Sequence, residues 1–361
     1  MQKLRFPIRE EKSEVPNKEV QQYDVKITEP KSIVDFLDKY VVGQNAAKET
    51  LAVSFSNWII RRDTEDDTLP KQNVILIGPS GVGKTYLVSL LAKIADVPIA
   101  KTSASGHSAE GFVGSNLSSL FKQIRAKRRG NAPYAMVFID ELDKIARENP
   151  GGGFDNDLQD ELLPWLEESE VMIDGRESIR TKNLFWIAAG AFSGVTKEDS
   201  LQGIIRKRLG LCRDKIGFRT KSKNRETDEE NYDEEYILDN VAPEDLIEYG
   251  LKPELVGRLS TTAILDPLCT RDMIRILVDS ENNPLRRYCR LLNAKGYAVE
   301  VSARVPKIIA ENCPEETGAR ALESICSKLF NCIVFDPEAF AKENVIKLTP
   351  KLVEDIIYNY R

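Results

Sequence analysis

Gly78-Pro79-Ser80-Gly81-Val82-Gly83-Lys84-Thr85 has the residue types and the spacing, G-x-x-x-x-G-K-[ST], of a phosphate-binding loop. Glycines at these positions let successive backbone N–H groups turn inward around an anion. The start of a following helix adds its partial positive charge. Lys84 can reach the outer phosphates of a nucleotide, and the Thr85 hydroxyl can ligate magnesium. A second chemical feature closes the apolar run Ala135-Met136-Val137-Phe138-Ile139, where Asp140 and Glu141 stand side by side. Acidic pairs at strand ends are mostly structural. Behind a phosphate loop, Asp140 can instead organise a magnesium shell and Glu141 can orient and polarise an attacking water. The chemistry implied is magnesium-assisted hydrolysis of a bound nucleotide.

These residues need a scaffold that holds loops at the ends of strands. Val74-Ile75-Leu76-Ile77 reads as a buried strand before the loop, and Tyr86 to Ile94 as a helix packed on it. Val97 to Ala100 is expected as a second strand, Ala135 to Ile139 as a third and Leu184 to Ala189 as a fourth central one. A last short strand, Thr262 to Leu265, is expected to close the first domain. Helical spacing runs from Pro30 through Ile33, Phe36 and Leu37, and again from Asn45 to about Arg62. The break between them, Val41-Val42-Gly43-Gln44, suits either a plain turn or the wall of an adenine pocket. A helix is expected from Leu142 to Arg147 and another from Asp155 to Glu168. From Thr270, read as an N-cap, the chain is mainly helical and is interrupted at Tyr297 to Val301. Two loops carry apolar residues. Phe112 and Val113 lie between Gly111 and Gly114, and Ile216-Gly217-Phe218 lies in a charged run from about Gly210 to Asn240. Each group either folds back as packing or meets a partner.

At 361 residues the chain can bury two ordinary cores, and 42% apolar with 30% charged residues is the composition of a soluble globular protein. The net charge of −6 gives no electrostatic argument for nucleic acid. Six cysteines without a C-x-x-C pair argue against a structural zinc site and for reduced thiols. A single histidine, His107, excludes Ser–His–Asp chemistry unless that residue alone serves. No apolar run approaches the roughly 20 residues of a membrane helix, and the start lacks a signal-peptide core, which points to the cytoplasm. Residues 1–30 are polar and proline-punctuated, the pattern of a flexible or loosely docked arm.

Taken together, the elements resemble an AAA+ ATPase, and the order of short motifs is similar to that of the ClpX family. Those motifs are Val41-Val42-Gly43-Gln44, Gly111-Phe112-Val113-Gly114, Ile139 to Arg147, Gly190-Ala191-Phe192, Pro253 to Leu259 and Thr317-Gly318-Ala319-Arg320. The resemblance covers about residue 32 to near the C-terminus. It implies an α/β P-loop NTPase large domain, a parallel sheet flanked by helices, over residues 31–267. Residues 211–241 would be an exposed partner-docking loop in it, and 268–361 a smaller, mainly helical domain with a short sheet. It further implies a nucleotide site of Val41, Val42, Gly78, Pro79, Ser80, Gly81, Val82, Gly83, Lys84, Thr85 and Tyr86. Thr85 and Asp140 would serve magnesium, and Glu141, Asp140 and Lys84 hydrolysis. Arg258 looks like the arginine finger that reaches a neighbouring subunit's nucleotide, and Arg320 like the sensor-2 arginine. Phe112 and Val113 look like the pore-loop pair that grips a polypeptide, with Phe in place of the usual Tyr. Ile216-Gly217-Phe218 matches the tripeptide that docks into ClpP, a signature that the HslU unfoldases lack.

The activity so implied is ATP-dependent unfolding and translocation of protein substrates by a homohexamer, delivering them to a ClpP-type peptidase. A protease-independent remodelling chaperone, and a nucleotide-binding regulatory subunit with weak turnover, are the alternatives. The departures are specific. No cysteine-paired zinc domain precedes the motor, and residues 170–181 hold no Arg-Lys-His loop. Ser115 and Asn116 replace acidic residues after the pore loop. The strand end Ala188-Ala189-Gly190 offers no polar sensor-1 side chain, Ser193 being the nearest.

Overall fold

A computed structural model describes residues 3–5, 25–104, 120, 122–124, 134–146, 155–167, 169–173, 177–211, 234–314 and 317–359. In chain order the elements are β1 (Lys3–Arg5), α1 (Pro30–Leu37), α2 (Asn45–Thr64), β2 (Val74–Ile77), α3 (Lys84–Ile94), β3 (Ile99–Ser103) and β4 (Ala135–Asp140). Next come α4 (Asp155–Leu166), β5 (Glu170–Ile173), β6 (Glu177–Arg180), β7 (Leu184–Gly190), α5 (Leu201–Arg208), α6 (Glu234–Asp239), α7 (Pro243–Tyr249), α8 (Pro253–Arg258) and β8 (Thr261–Ile264). The chain ends with α9 (Thr270–Asp279), α10 (Pro284–Ala294), β9 (Ala298–Ser302), α11 (Val305–Glu311), α12 (Ala319–Phe335), β10 (Ala341–Lys342), β11 (Val345–Leu348) and α13 (Pro350–Asn359). Packing divides it into two units: Met1–Ala52 with Ser80–Leu90 and Pro267–Arg361, and Val53–Pro79 with Leu91–Asp266.

The second unit is built on a sheet of order β3-β4-β7-β2-β8, in which every pairing is parallel. Val74 to Ile77 and Leu184 to Gly190 are buried throughout. Unbroken burial is what a central parallel strand covered on both faces requires, and it explains why these segments read as continuous apolar runs rather than alternating ones. Ile75, Ile77, Val137, Ile139, Trp186 and Ala188 join Leu162 and Leu166 of α4 and Leu255 of α8 in one core. Prolines at the first turns of α7 and α8 preset the helical φ without sacrificing a bonded N–H.

The first unit is mainly helical. A small sheet of order β1-β9-β11-β10 runs through it, with β11 parallel to β9 and β1 and β10 antiparallel to their neighbours. Lys3, Leu4 and Arg5, within the expected arm, therefore form a strand on the edge of β9. Leu322, Cys326, Leu329, Phe330 and Ile333 of α12 are buried, and Phe330 stacks on Tyr288 at 5.0 Å.

Several boundaries differ from expectation for local reasons. The second strand runs Ile99–Ser103, because the Val97 N–H still donates to the Ala92 carbonyl and closes α3. Leu142–Lys144 is a single 3-10 turn and not the start of a longer helix, with Arg147 outside the described residues. Cys269 occupies the N-cap of α9 in place of Thr270. The charged run to Asn240 is not loop to its end. Glu234–Asp239 form α6, which buries Ile237 and Leu238, two adjacent apolar residues too few to show a helical period.

Candidate nucleotide site

In a parallel sheet the C-terminal ends of all strands share one edge, and here that edge carries the chemistry. β2 ends at Ile77, and the Gly78 N–H donates to the Gly190 carbonyl at the end of β7 (3.2 Å). Asp140 ends β4 on the other side of β7. The start of the phosphate loop and the first carboxylate thus stand at one edge, one strand apart. Gly78 is also sterically required, since a Cβ there would lie 2.5 Å from the Leu265 carbonyl oxygen.

Glu141 adopts a left-handed backbone (φ 59°, ψ 37°), which turns its side chain out of the strand direction at a cost of about 1–2 kcal/mol. The turn is held by the Glu141 N–H, which donates to Asp140 Oδ1 (3.0 Å), and by the Ser103 hydroxyl, which donates to Glu141 Oε2 (2.7 Å). Ser103 lies opposite Asp140 in the β3–β4 register. It is a positioning residue that the sequence reading missed, because only the register brings it to the carboxylates. Asp143 was missed for the same reason. It is 2% exposed and accepts from the Ala191 N–H (3.2 Å), supplying the polar group that the end of β7 lacks. A Cβ on Gly190 would sit 2.8 Å from Asp143 Oδ1 and 2.6 Å from the Phe192 ring. Ser193 is exposed, and its carbonyl accepts from the Tyr249 hydroxyl (3.1 Å).

In the other unit the phosphate loop meets the start of α12. Arg320 Nη1 donates to Ser80 Oγ (3.1 Å), and the Ala319 N–H donates to the Gly81 carbonyl (3.0 Å). The approach is so close that both partners must lack a side chain. A Cβ on Gly81 (φ +80°) would fall 2.2 Å from the Thr317 carbonyl oxygen. One on Gly318 (φ +54°) would fall 2.9 Å from that of Gly81. Val82 and Lys84 are buried, Thr85 starts α3 beside Lys84, and Pro79 is half-buried. Val41 and Val42 are buried as well. The residues before them are tied down by the Ser280 hydroxyl, which donates to the Tyr40 carbonyl, and by the Glu281 N–H, which donates to that of Lys39.

The loop fits a nucleotide's phosphates. Gly83 (φ +106°) faces open space where a Cβ would be, and the buried Tyr86 hydroxyl, one helical turn further on, has no hydrogen-bond partner.

Arg258 ends α8 at the opposite edge of the sheet. It donates to Glu167 Oε1 (2.7 Å), both side chains being about half exposed, and its carbonyl accepts from the Asn73 amide (3.1 Å). The backbone at Glu167 is fixed in turn by the Thr181 hydroxyl, which donates to its carbonyl. Phe112, Val113, Ile216, Gly217 and Phe218 lie outside the described residues.

Fold and site together define a P-loop ATPase of the AAA class, and residues 69–262 match the family described as AAA domain (Cdc48 subfamily). The ATP-dependent Clp protease ATP-binding subunit ClpX of Bacteroides fragilis is 32% identical over 347 residues, covering 90% of this chain and 80% of the relative. That of Bacteroides thetaiotaomicron is 31% identical, with 90% and 81% covered. ClpX 3 of Methylococcus capsulatus is 31% identical over 348 residues, with 86% and 77% covered. The chain belongs to the ClpX family of AAA+ ATPases. Among the described residues no helix is long and apolar enough to cross a membrane.

Proposed function

We propose that this chain is a ring-forming, ATP-driven protein unfoldase and translocase that delivers its substrates to a ClpP-type peptidase. The observation that carries the reading is the seat of Arg320 and Ala319 on Ser80 and Gly81 of the phosphate loop. A helix of the C-terminal region bonded to that loop is what a motor needs if the state of the nucleotide is to become movement. In this reading the loop residues Gly78 to Tyr86 hold ATP with Val41 and Val42, and Thr85 and Asp140 would hold Mg2+, which would supply charge neutralisation at the phosphates. Glu141, held by Ser103, orients the attacking water. Lys84 and Arg320 stabilise the charge that develops on the phosphates, and Arg258 leaves Glu167 to do so for a neighbour in a homohexamer. Phe112 and Val113 grip the polypeptide substrate, and Ile216, Gly217 and Phe218 dock the peptidase.

The test is ATP-dependent degradation of an unfoldable reporter by the purified chain with a ClpP-type peptidase. Glu141→Gln is expected to abolish both ATPase activity and degradation. Ile216→Ala with Phe218→Ala is expected to abolish degradation alone. ATPase activity with degradation unaffected by the double substitution would overturn the docking assignment. ATPase activity without degradation of any reporter would turn the reading to a protease-independent remodeller.

A further inference from the structure

Three successive carbonyls ahead of Val42 are each held by a different partner. That of Lys39 accepts from the Glu281 N–H (2.9 Å), that of Tyr40 from the Ser280 hydroxyl (2.7 Å) and that of Val41 from the Lys48 ammonium (3.3 Å). The Val41 N–H donates to the Leu37 carbonyl (2.8 Å). The partners are fixed in their turn. Lys48, in the first turn of α2, is 2% exposed, and its ammonium also bonds the Asp38 carboxylate. Ser280 and Glu281 lie between α9 and α10. The buried Asn283 side chain donates to the Ser280 carbonyl (2.7 Å) and accepts from the Arg286 N–H (2.8 Å) as the N-cap of α10.

Val42 breaks this pattern. It is 6% exposed, and among the described residues neither its N–H nor its carbonyl has a hydrogen-bond partner. More than about 90% of buried backbone polar groups are paired. A donor and an acceptor left open on one buried residue, directly after three pinned carbonyls, mark a place where a ligand supplies the partners. The pinning itself is more than a helix junction requires. A plain turn leaves its carbonyls to water at the surface. Here a buried hydroxyl and a buried ammonium are committed to them, although an ammonium is costly to bury.

We propose that Ser280 and Lys48 are positioning residues for the nucleotide base: they preset the backbone of residues 39–41 so that Val42 presents a free N–H and a free carbonyl to it. The proposal rests on the reading of Val41 and Val42 as the wall of the base pocket. Backbone fixed before binding does not have to be ordered by the ligand, so the pinning raises affinity without touching the nucleotide. It also confers selectivity. Adenine carries a donating 6-amino group where guanine carries the accepting O6. The Val42 carbonyl can accept from the first and repels the second. A wall free to move could turn that carbonyl away and admit either base, whereas a pinned wall keeps the preference for adenine.

The test is calorimetric titration of the full chain with ADP and with GDP, which differ only in the base. The wild type is expected to prefer ADP. Ser280→Ala should weaken ADP about threefold to tenfold, the worth of one hydrogen bond, and leave GDP within about twofold, so that the preference shrinks. Lys48→Met keeps the apolar stem and leaves no buried charge behind, because Asp38 is half exposed; it should weaken ADP about tenfold or more with the same selectivity loss. Ser324→Ala, an exposed serine of α12, should change neither isotherm, and circular dichroism melts confirm that each variant is folded. Equal losses for ADP and GDP would reduce Ser280 and Lys48 to structural residues and overturn the proposal, as would folded variants with the wild-type preference. A wild type that binds both nucleotides alike would overturn the base wall itself, a failure seen before any substitution is made.

Discussion

Replacing Ser103 by Ala tests whether Glu141 is positioned from the neighbouring strand. The substitution removes one O–H···O bond of 2.7 Å and leaves β3 otherwise intact. A hydrogen bond to a charged group contributes about 1.5–3 kcal/mol, and the partial exposure of this carboxylate argues for the lower end. At about 1.36 kcal/mol per factor of ten, kcat for ATP hydrolysis should fall about tenfold. KM should hardly move, because Ser103 steadies a group that acts on the attacking water and not on nucleotide affinity. The assay is steady-state hydrolysis across ATP concentrations for wild type, Ser103→Ala, Ser103→Thr, Glu141→Gln and the double variant. Ser103→Thr keeps the hydroxyl and should recover most of the rate. The double variant should be no slower than Glu141→Gln, since residues that act as a unit are non-additive. A Ser103→Ala enzyme within twofold of wild type, or a double variant slower by the product of the two losses, would refute the positioning role.

Three further outcomes follow from the same geometry. Arg258→Ala should lower ATP hydrolysis by about 10^3-fold or more if it acts as a finger. Its thermal unfolding should stay within about 1 kcal/mol of wild type, because the pair it forms with Glu167 is half exposed. Gly318→Ala forces a Cβ to within 2.9 Å of the Gly81 oxygen at φ +54°, costing about 1–3 kcal/mol. It should weaken nucleotide binding and lower Tm by about 2–10 °C, whereas Gly296→Ala, strained but with nothing within 4 Å, should spare nucleotide binding. Burial pushes the thiols of Cys289 up to about 12 and Cys313 up to about 11, and Cys326 is raised for the same reason. At pH 8 these three are almost wholly protonated, so iodoacetamide should label exposed Cys269 well before them in the native protein. Mass spectrometry of the labelled peptides checks the order, and denaturant should abolish it.

The phosphate loop and the Asp140–Glu141 pair were legible in the chain because each is a contiguous pattern tied to a strand end. So were the sheet strands, since buried parallel strands read as unbroken apolar runs. What depends on register or strand order was not legible. Ser103 reaches Glu141 only because β3 pairs with β4 in one register, and Asp143 reaches Ala191 only because β4 lies beside β7. Lys3–Arg5 carry no period of their own and become a strand through the free edge of β9.

The two ends of β2 give the site its mechanical logic. At its start the Asn73 amide donates to the carbonyl of Arg258, and at its end Gly78 bonds Gly190 and opens the phosphate loop. Four fully buried residues separate these ties, about 13 Å at the usual rise of a strand. β2 is flanked by β7 and β8 and close-packed on both faces, so it has no soft direction in which to absorb a shift. A rigid strand therefore ties the start of the phosphate loop at one edge to the backbone of Arg258 at the other. In the proposed ring, one edge of each sheet would serve the chain's own nucleotide and the other edge its neighbour's. Turnover in one subunit could then be felt in the next through a rigid strand, without any flexible relay.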